Sequence, residues 1–549
     1  MLVLLARIVY LTVYERTFLL KQGNARTVRV IDIPAHRGMI LDRNHQPLAI
    51  STPVYSVWID PHQFSLQDTQ IPALANLLQE SIKQIQATIN DKSKSDFVYL
   101  KRQLSPDIAD QIKALHIPGI YFQQNYKRYY PEADAVAPLL GMTNIDDQGQ
   151  EGLELAYNNL LQGVPGKERV LVDLYGHVVA VQGIVQPARP GHNLILSIDH
   201  RIQYLAYSVL SKAVADNKAE SGSIVIMDIK TGEILAMVNA PSYNPNTRPK
   251  YRNNNYRNLA VTDQFEPGST MKTFAVANAL DNGKYNANTM VDTNPGWMIL
   301  NGHRVQDEEN LGNINVTTIL QRSSNMGITK LTLSMPPNSL WNLLHKEGFG
   351  QSTHSGFPGE ALGSLVKPRK WSDIALATLS FGYGVSATML QLTQAYAMIG
   401  NEGVKHPVSL LKIDKPSASE PVLKKKVAIE LINIMQSVTA KGGSGFPARI
   451  PGYNVAGKTG TAWIMGAHGY ERKHFNALFI GIVPASKPRI VAAIVIKDPQ
   501  AGHHQGGQVA APVFSEVMTA VLRDLNIPPD DLTQKGKPDE IKPVVPKPH

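Results

Sequence analysis

Three short runs hold the residues able to do chemistry. Ser269 and Lys272 stand three apart in Phe265-Glu266-Pro267-Gly268-Ser269-Thr270-Met271-Lys272. A Pro-Gly turn precedes Ser269, and an apolar run (Phe274, Ala275, Val276, Ala279, Leu280) follows, which is a helix-start pattern. Residues three apart on a helix share a face, so the hydroxyl and the amine can meet. A serine hydroxyl is a weak nucleophile until a base adjoins it, and a lysine with a lowered pKa can be that base. The second run is Arg322-Ser323-Ser324-Asn325-Met326-Gly327, at the edge of a helical stretch. The third is Gly452-Tyr453-Asn454-Val455-Ala456-Gly457-Lys458-Thr459, continuing as Gly460-Thr461-Ala462-Trp463. Its first eight residues satisfy the phosphate-loop pattern Gly-x-x-x-x-Gly-Lys-[Ser/Thr]. The context argues against nucleotide binding. A phosphate loop follows a buried strand and opens a helix whose N-terminus holds the phosphates. Here Ala448-Arg449-Ile450-Pro451 precedes the loop, and the strand-like Thr461-Ala462-Trp463-Ile464 follows it.

The elements that must position these runs belong to a domain starting near residue 192. Residues 194–199 read as a strand, followed by a helix through Gln203 and Leu210. Ser223–Asp228 and Glu233–Val238, joined by the turn Lys230-Thr231-Gly232, read as a hairpin. Ala477–Val483 and Ile490–Ile496 read as another, and 511–525 as a terminal helix. Strands at both ends with helices between predict one antiparallel sheet covered by helices. The region before residue 192 mixes short strands (27–31, 54–58) with helices over 68–92, 105–116 and 149–162, the last carrying Glu151 and Glu154 on one face. Val170–Asp173 with Tyr175-Gly176 begins a hairpin. Residues 1–20, MLVLLARIVYLTVYERTFLL, hold an apolar run that is short of the roughly 20 residues a span needs. We read them as part of an N-terminal membrane anchor. From Asn526 onward Pro, Lys and Asp dominate, a composition that cannot bury a core and predicts a disordered tail.

Composition bounds the function. With 549 residues, 43% of them hydrophobic and 18% charged, the chain is globular and has two or three domains. The net charge of +9 is dispersed, with no block of five or six like charges, so a nucleic-acid partner is unsupported. The absence of cysteine excludes thiol catalysis, disulfides and Cys-based zinc sites. His503-His504 has no third ligand at sensible spacing, so no metal site is expected, and no cofactor.

Ser-x-x-Lys, Ser-x-Asn and Lys-Thr-Gly, in that order, resemble the penicillin-binding proteins. The resemblance is wider than these triplets. Arg37-Gly38-Met39-Ile40-Leu41-Asp42-Arg43, Gly149-Gln150-Glu151-Gly152-Leu153-Glu154 and Gly163-Val164-Pro165-Gly166 look like the pedestal of the class B enzymes. Thr231–Val238, Pro241–Asn246, Gly356–Glu360 and Phe381-Gly382-Tyr383-Gly384 fit the transpeptidase domain. The wording Ser-Ser-Asn and Lys-Thr-Gly-Thr-Ala is closer to the cell-division branch than to the elongation branch. The implied fold is α+β and multidomain: an anchor (1–20), a non-catalytic mixed α/β pedestal (21–191), a penicillin-binding-protein/β-lactamase-like transpeptidase domain (192–525) and the tail (526–549).

The resemblance also implies the roles. Ser269 attacks the carbonyl of the penultimate D-alanine of a peptidoglycan stem peptide, and Lys272 accepts its proton. Ser323 and Lys458 relay a proton to the leaving amine, and Asn325 holds Lys272 and the substrate amide. Lys458, Thr459, Gly460 and Thr461 receive the terminal carboxylate, with the backbone N–H groups of Ser269 and Thr461 as oxyanion hole. A neighbouring stem's amine then takes the acyl group, and β-lactams acylate Ser269. The implied setting is the periplasmic face of the inner membrane at the division site, among cell-division proteins. These include a membrane-embedded SEDS-family glycosyltransferase, because residues 1–190 lack glycosyltransferase motifs. A D,D-carboxypeptidase or β-lactamase, and a non-catalytic β-lactam sensor, are the alternatives on the same fold. Against the hydrolases, no segment maps onto the glutamate loop that activates water in class A β-lactamases.

Overall fold

In the computed structural model, residues 1–61, 63–65, 69–91, 97–173, 178–247, 256–415, 418–466 and 469–531 are described. The larger unit is built on a five-stranded antiparallel sheet. In chain order its parts are helix α1 (His200–Asp216), strands β1 (Ser221–Asp228) and β2 (Ile234–Ala240), helices α2 (Lys272–Asp281), α3 (Asn325–Leu333), α4 (Met389–Gly400) and α5 (Lys425–Thr439), strands β3 (Ala456–Gly466), β4 (Gly469–Val483) and β5 (Ile490–Lys497), and helix α6 (Gly506–Asp524). The strand order is β2-β1-β5-β4-β3, so the expected hairpins form and β5 joins them by pairing with β1.

Alternation along the strands sorts the core into two layers. Leu478, Ile480 and Ile482 of β4 face Phe274 of α2, Tyr396 of α4 and Leu431 of α5. Ala477, Phe479 and Val483 face Ile202 and Leu210 of α1 and Phe514 and Met518 of α6. Each large apolar side chain so buried contributes ~1.5–3 kcal/mol relative to exposure. Both faces are covered, and β2 and β3 are the two edge strands.

Several expected elements are shorter or divided. The helix over 68–92 is two, Ile71–Leu78 and Ile82–Asp91, because Gln79 takes a left-handed φ of 53°; residues 68 and 92 lie outside the described residues. Residues 105–116 give Pro106–Ala114. Residues 149–162 give Gly152–Ala156 and Asn158–Leu161, with the break at Tyr157. The strand at 194–199 is only Leu194–Ile195, since the Asp199 side chain caps α1 by accepting from Arg201 N. Helix α6 begins at Gly506, earlier than expected, and carries Pro512 within it. Tyr175-Gly176 and residues 532–549 lie outside the described residues.

The smaller unit holds a mixed sheet in which Pro47–Ile59 pairs with Val98–Leu104, Ile120–Tyr129 and Ile40–Leu41. A second sheet combines Val28–Ile33, Gly166–Val172 and Val178–Gln186. Its buried ionic centre is Glu154, held by Arg37 (2.7 Å) and Arg128 (2.6 Å). The run after Arg37 then clasps the larger unit. Ile40–Leu41 pairs in parallel with Leu194–Ile195. Asp42 accepts from the α1 residue His200, Arg43 meets Glu233 at 3.3 Å, and Asn44 donates to Asp199. Asp42, Asp199 and His200 also lie at mutual distances a metal would accept, but these hydrogen bonds already engage them.

At the N-terminus, Leu2–Val9 and Arg16–Thr27 are helical on either side of a π-turn at Tyr10–Tyr14. Val3, Leu4, Leu5, Ile8, Val13 and Phe18 are exposed. No described helix is long and apolar enough to cross a membrane.

Candidate active site

The nucleophile turn is set by glycines and a buried tyrosine. Gly268 has a φ of +57°, and a Cβ there would come within 3.0 Å of Thr461 O and 3.1 Å of the Ala462 Cβ. Residues Gly268–Met271 form a 3₁₀ turn, and α2 starts at Lys272 rather than at Ser269. Tyr396 of α4 fixes this turn from below: its hydroxyl donates to Thr270 O (2.8 Å) and shares a hydrogen bond with Thr273 Oγ1 (2.9 Å). Gly460 lets β3 approach the same turn, since a Cβ there would lie 2.8 Å from Thr270 Cγ2 and 3.1 Å from Pro267 O. Ser269 is left half-buried at the cleft.

Ser323 bridges the two lysines. It precedes the α3 cap residue Ser324 and has a φ of 58°, a left-handed conformation uncommon for a residue with a Cβ. That backbone turns its oxygens toward Lys272. Lys272 Nζ donates to Ser323 O (2.5 Å) and Oγ (3.1 Å), and Lys458 Nζ donates to the same Oγ (3.0 Å). Both lysines are buried. Burial, which disfavours the charged form, lowers Lys272 to about 7, with Asp307 and then Glu308 pulling the other way. Lys458 is pushed well below the usual lysine range, by burial first and then by the charge of Lys272. Repulsion across Ser323 thus opposes two charges in this pocket. No hydrogen bond joins Lys272 to Ser269 Oγ here; catalytic contacts often close only with substrate in place.

The third run is a strand, which disposes of the phosphate-loop pattern: Gly457-Lys458-Thr459 lie inside β3, paired with Phe479–Gly481 of β4. No helix N-terminus follows to hold phosphates. Thr459 Oγ1 bonds Ser444 Oγ (2.8 Å), and Thr461 Oγ1 accepts from Gly506 N (3.1 Å).

Ser269, Lys272, Ser323, Lys458, Thr459, Gly460 and Thr461 therefore surround one cleft. Asn325 stands beside it, but its Nδ2 donates to Gln306 O (2.9 Å), while the hydrogen bonds of Lys272 go to Ser323. Sequence reasoning missed Asp307. Its carboxylate accepts from Ser324 Oγ (2.6 Å), Met326 N (2.9 Å) and Asn325 N, and so pins the Ser323-Ser324-Asn325 turn. It also missed Ser444, Tyr396 and Glu266, whose Oε1 accepts from Gly384 N (2.8 Å). Nothing local marks these residues; each acts across a long loop. His503 and His504 are exposed, and His504 stacks on Phe475 at 4.3 Å.

Residues 222–519 match the model of the penicillin binding protein transpeptidase domain, and residues 32–196 match that of the penicillin-binding protein dimerisation domain. Peptidoglycan D,D-transpeptidase FtsI of Escherichia coli K12 is 43% identical over 540 residues, covering 97% of this chain and 91% of the relative. The probable peptidoglycan D,D-transpeptidase PenA of Neisseria gonorrhoeae is 39% identical over 532 residues, covering 96% and 91%. Among solved structures, the transpeptidase domain of Burkholderia pseudomallei penicillin-binding protein 3 shares 39% identity with a TM-score of 0.57, over 61% of this chain and 97% of that one. Penicillin-binding protein 3 of Mycobacterium tuberculosis complexed with aztreonam gives 25% identity and a TM-score of 0.70, over 91% and 98%. With a serine, two buried lysines and a strand edge meeting in one cleft, and both domain models matched in order, the chain belongs to the class B penicillin-binding proteins.

Proposed function

We propose that the chain is a serine-type peptidoglycan D,D-transpeptidase acting in septal cell-wall synthesis, with residues 192–525 as the catalytic domain and 21–191 as a non-catalytic pedestal. The observation that carries this reading is Ser323 Oγ accepting from both Lys272 and Lys458, beside the turn that carries Ser269. Ser269 Oγ attacks the penultimate D-alanine carbonyl. The C–Oγ bond forms, the C–N bond breaks, and the serine proton passes to neutral Lys272. Lys458 and Ser323 return a proton to the departing D-alanine amine. Thr459 and Thr461, already oriented by Ser444 and by Gly506 N, receive the donor's terminal carboxylate beside Lys458. The Ser269 and Thr461 N–H groups stabilise the oxyanion, each donor contributing about 3 kcal/mol in a comparable site. Asn325 guides the substrate amide. An acceptor amine then attacks the acyl ester, forming the cross-link and freeing Ser269.

The exposed apolar side chains of residues 3–18 support membrane attachment at the N-terminus, with the catalytic domain in the periplasm. Septal partners, including a membrane glycosyltransferase of the SEDS family, fit a pedestal without polymerase motifs. The test is intact-mass analysis after penicillin exposure, with peptide mapping. A persistent adduct on Ser269, absent in Ser269→Ala, is expected. An adduct elsewhere, or fast release of hydrolysed penicillin, overturns the assignment.

A further inference from the structure

Two tryptophans pin a short cationic segment to the catalytic unit. Trp341 Nε1 donates to Leu365 O (3.4 Å), and Trp371 Nε1 donates to Asn338 Oδ1 (2.9 Å). The segment 365–371 is thus tied at both ends to the helix Ser339–Glu347 and its cap residue Asn338. Between the ties run Val366-Lys367-Pro368-Arg369-Lys370. Val366 is 70% exposed, and Lys367, Arg369 and Lys370 are exposed with it. Lys367 Nζ stands 4.5 Å from the centre of the Trp341 ring, which also stacks on His345 (4.8 Å). A cation over an indole is held in place and keeps its charge. Among the described residues, none of the three cations forms an ion pair. Glu360, in the loop before them, accepts from Ser352, Thr353 and Ser355, and the exposed Asp373 after them pairs with none of them. Three like charges within four residues repel one another, so the fold itself gains nothing from gathering them. The helix Asp373–Ser380 then leads from Trp371 to Gly382, whose carbonyl accepts from Gly268 N (3.3 Å) beside Ser269. Its eight residues span about 12 Å, so the cations stand about one short helix away from the nucleophile turn.

We propose that Lys367, Arg369 and Lys370 form a second binding site for the peptidoglycan strand, taking the terminal carboxylates of stem peptides other than the one in the cleft. This rests on the transpeptidase reading and extends it from a single stem to the polymer that carries it. Every stem that has not been cross-linked ends in a D-alanine carboxylate, so the strand is a polyanion with its charges spaced along it. One stem meets Lys458, Thr459 and Thr461, and its neighbours on the strand meet the outer cations. A single exposed ion pair is weak. A second contact on a tethered chain acts at high effective concentration, so several weak pairs retain the strand between successive acylations. A free single stem gains nothing from the outer site.

The test uses the full chain and a variant carrying Lys367→Gln, Arg369→Gln and Lys370→Gln together. Each is first acylated with penicillin, which fills the cleft, and then titrated against fluorescent soluble glycan strands whose stems end in D-Ala-D-Ala, with anisotropy as the readout. The unaltered chain should bind with an affinity that falls as salt rises. The variant should bind about tenfold more weakly, at about twofold for each of three exposed ion pairs. Strands whose stem carboxylates have been amidated should bind both chains as weakly as the variant binds the native strand. Penicillin should acylate both chains at the same rate. Unchanged strand affinity in the variant, or undiminished binding of amidated strands, overturns the proposal. Slower acylation of the variant counts against it as well, because the three side chains would then be supporting the fold. Phosphatidylglycerol vesicles that bind through the same three cations and displace the strands would overturn it in favour of a lipid-headgroup site. A chain that forms no acyl-enzyme on Ser269 at all would instead refute the transpeptidase reading beneath it.

Discussion

Replacing Asp307 by asparagine separates two effects that one carboxylate now exerts. Asp307 accepts three hydrogen bonds from Ser324, Asn325 and Met326, and it is the stronger of the two charges holding Lys272 up against burial. Asparagine keeps the shape and one acceptor oxygen but loses the charge. Hydrogen bonds to a charged group contribute ~1.5–3 kcal/mol each and roughly half that when neutral, so with three of them the turn should lose about 2–4 kcal/mol. In a domain of this size that lowers the melting temperature by about 2–6 °C. The effect on the base runs the other way. With Lys272 at about 7, only about one molecule in eleven has it neutral at pH 6. A fall of about one unit, the low end of what a neighbouring charge does, makes that about one in two. The variant should therefore acylate more slowly above pH 8, because Ser323 is less firmly held, while its rate limb moves to lower pH. The assay is the second-order rate of acylation by a fluorescent penicillin from pH 5.5 to 9, with thermal melting alongside. If the limb stays in place or moves to higher pH, the assignment of Lys272 as the base whose charge Asp307 supports is wrong.

Other perturbations follow from the same geometry. Gly460→Ala puts a Cβ 2.8 Å from Thr270 Cγ2, so β3 must retreat from the nucleophile turn; penicillin acylation should fall at least about tenfold with a melting temperature nearly unchanged. Tyr396→Phe removes the donor to Thr270 O inside the core and should cost about 1–3 kcal/mol, read from urea unfolding of the catalytic unit. Arg37→Met leaves Glu154 with Arg128 and a long hydrogen bond from Tyr130 (3.4 Å), and should destabilise the pedestal by about 3–5 kcal/mol, seen as rapid proteolysis before residue 192 with penicillin labelling retained. Lys272 also links stability to pH. Its folded pKa is depressed, so from about 7 up to the ordinary lysine value the unfolded chain binds the extra proton, and stability rises with pH across that window.

The sheet was legible because its strands announce themselves. Ala477–Val483 and Ile490–Ile496 are short unbroken apolar runs on either side of a turn, as strands buried on both faces must be, with Leu478, Ile480 and Ile482 in one core layer and Ala477, Phe479 and Val483 in the other. The catalytic serine and lysines were legible because their spacing is local: Ser269 and Lys272 need only one turn to meet. The Gly-x-x-x-x-Gly-Lys-Thr string was ambiguous by itself, and was settled by residues outside it, in the pairing of Lys458 with Ile480. Asp307, Ser444, Tyr396 and Glu266 were not legible. Asp307 reaches Ser324 through a loop, and Tyr396 reaches Thr270 across more than a hundred residues. No periodicity encodes such encounters. Asn325 illustrates the same limit: its position was foreseen, but its bond to Gln306 depends on how the 303–306 strand returns beside α3.

The sheet order has a consequence for how the molecule is made. Strand β1 sits between β2 and β5, so Ser223 finds its partner in Val495. Strand β3, which carries Lys458, Thr459 and Thr461, reaches β1 only through β4 and β5. Until residue 497 has been synthesised, the nucleophile turn and its helix have no completed sheet to lie on. A chain emerging from its N-terminus must therefore hold Phe274, Leu431 and the strands β1 and β2 without their final cover while the rest is made. Long-range pairing of this kind closes slowly, and exposed apolar strands invite misassembly in the interval. Truncations anywhere before β5 should consequently yield insoluble chains rather than partial enzymes, and the acylating cleft should arise in a single late step.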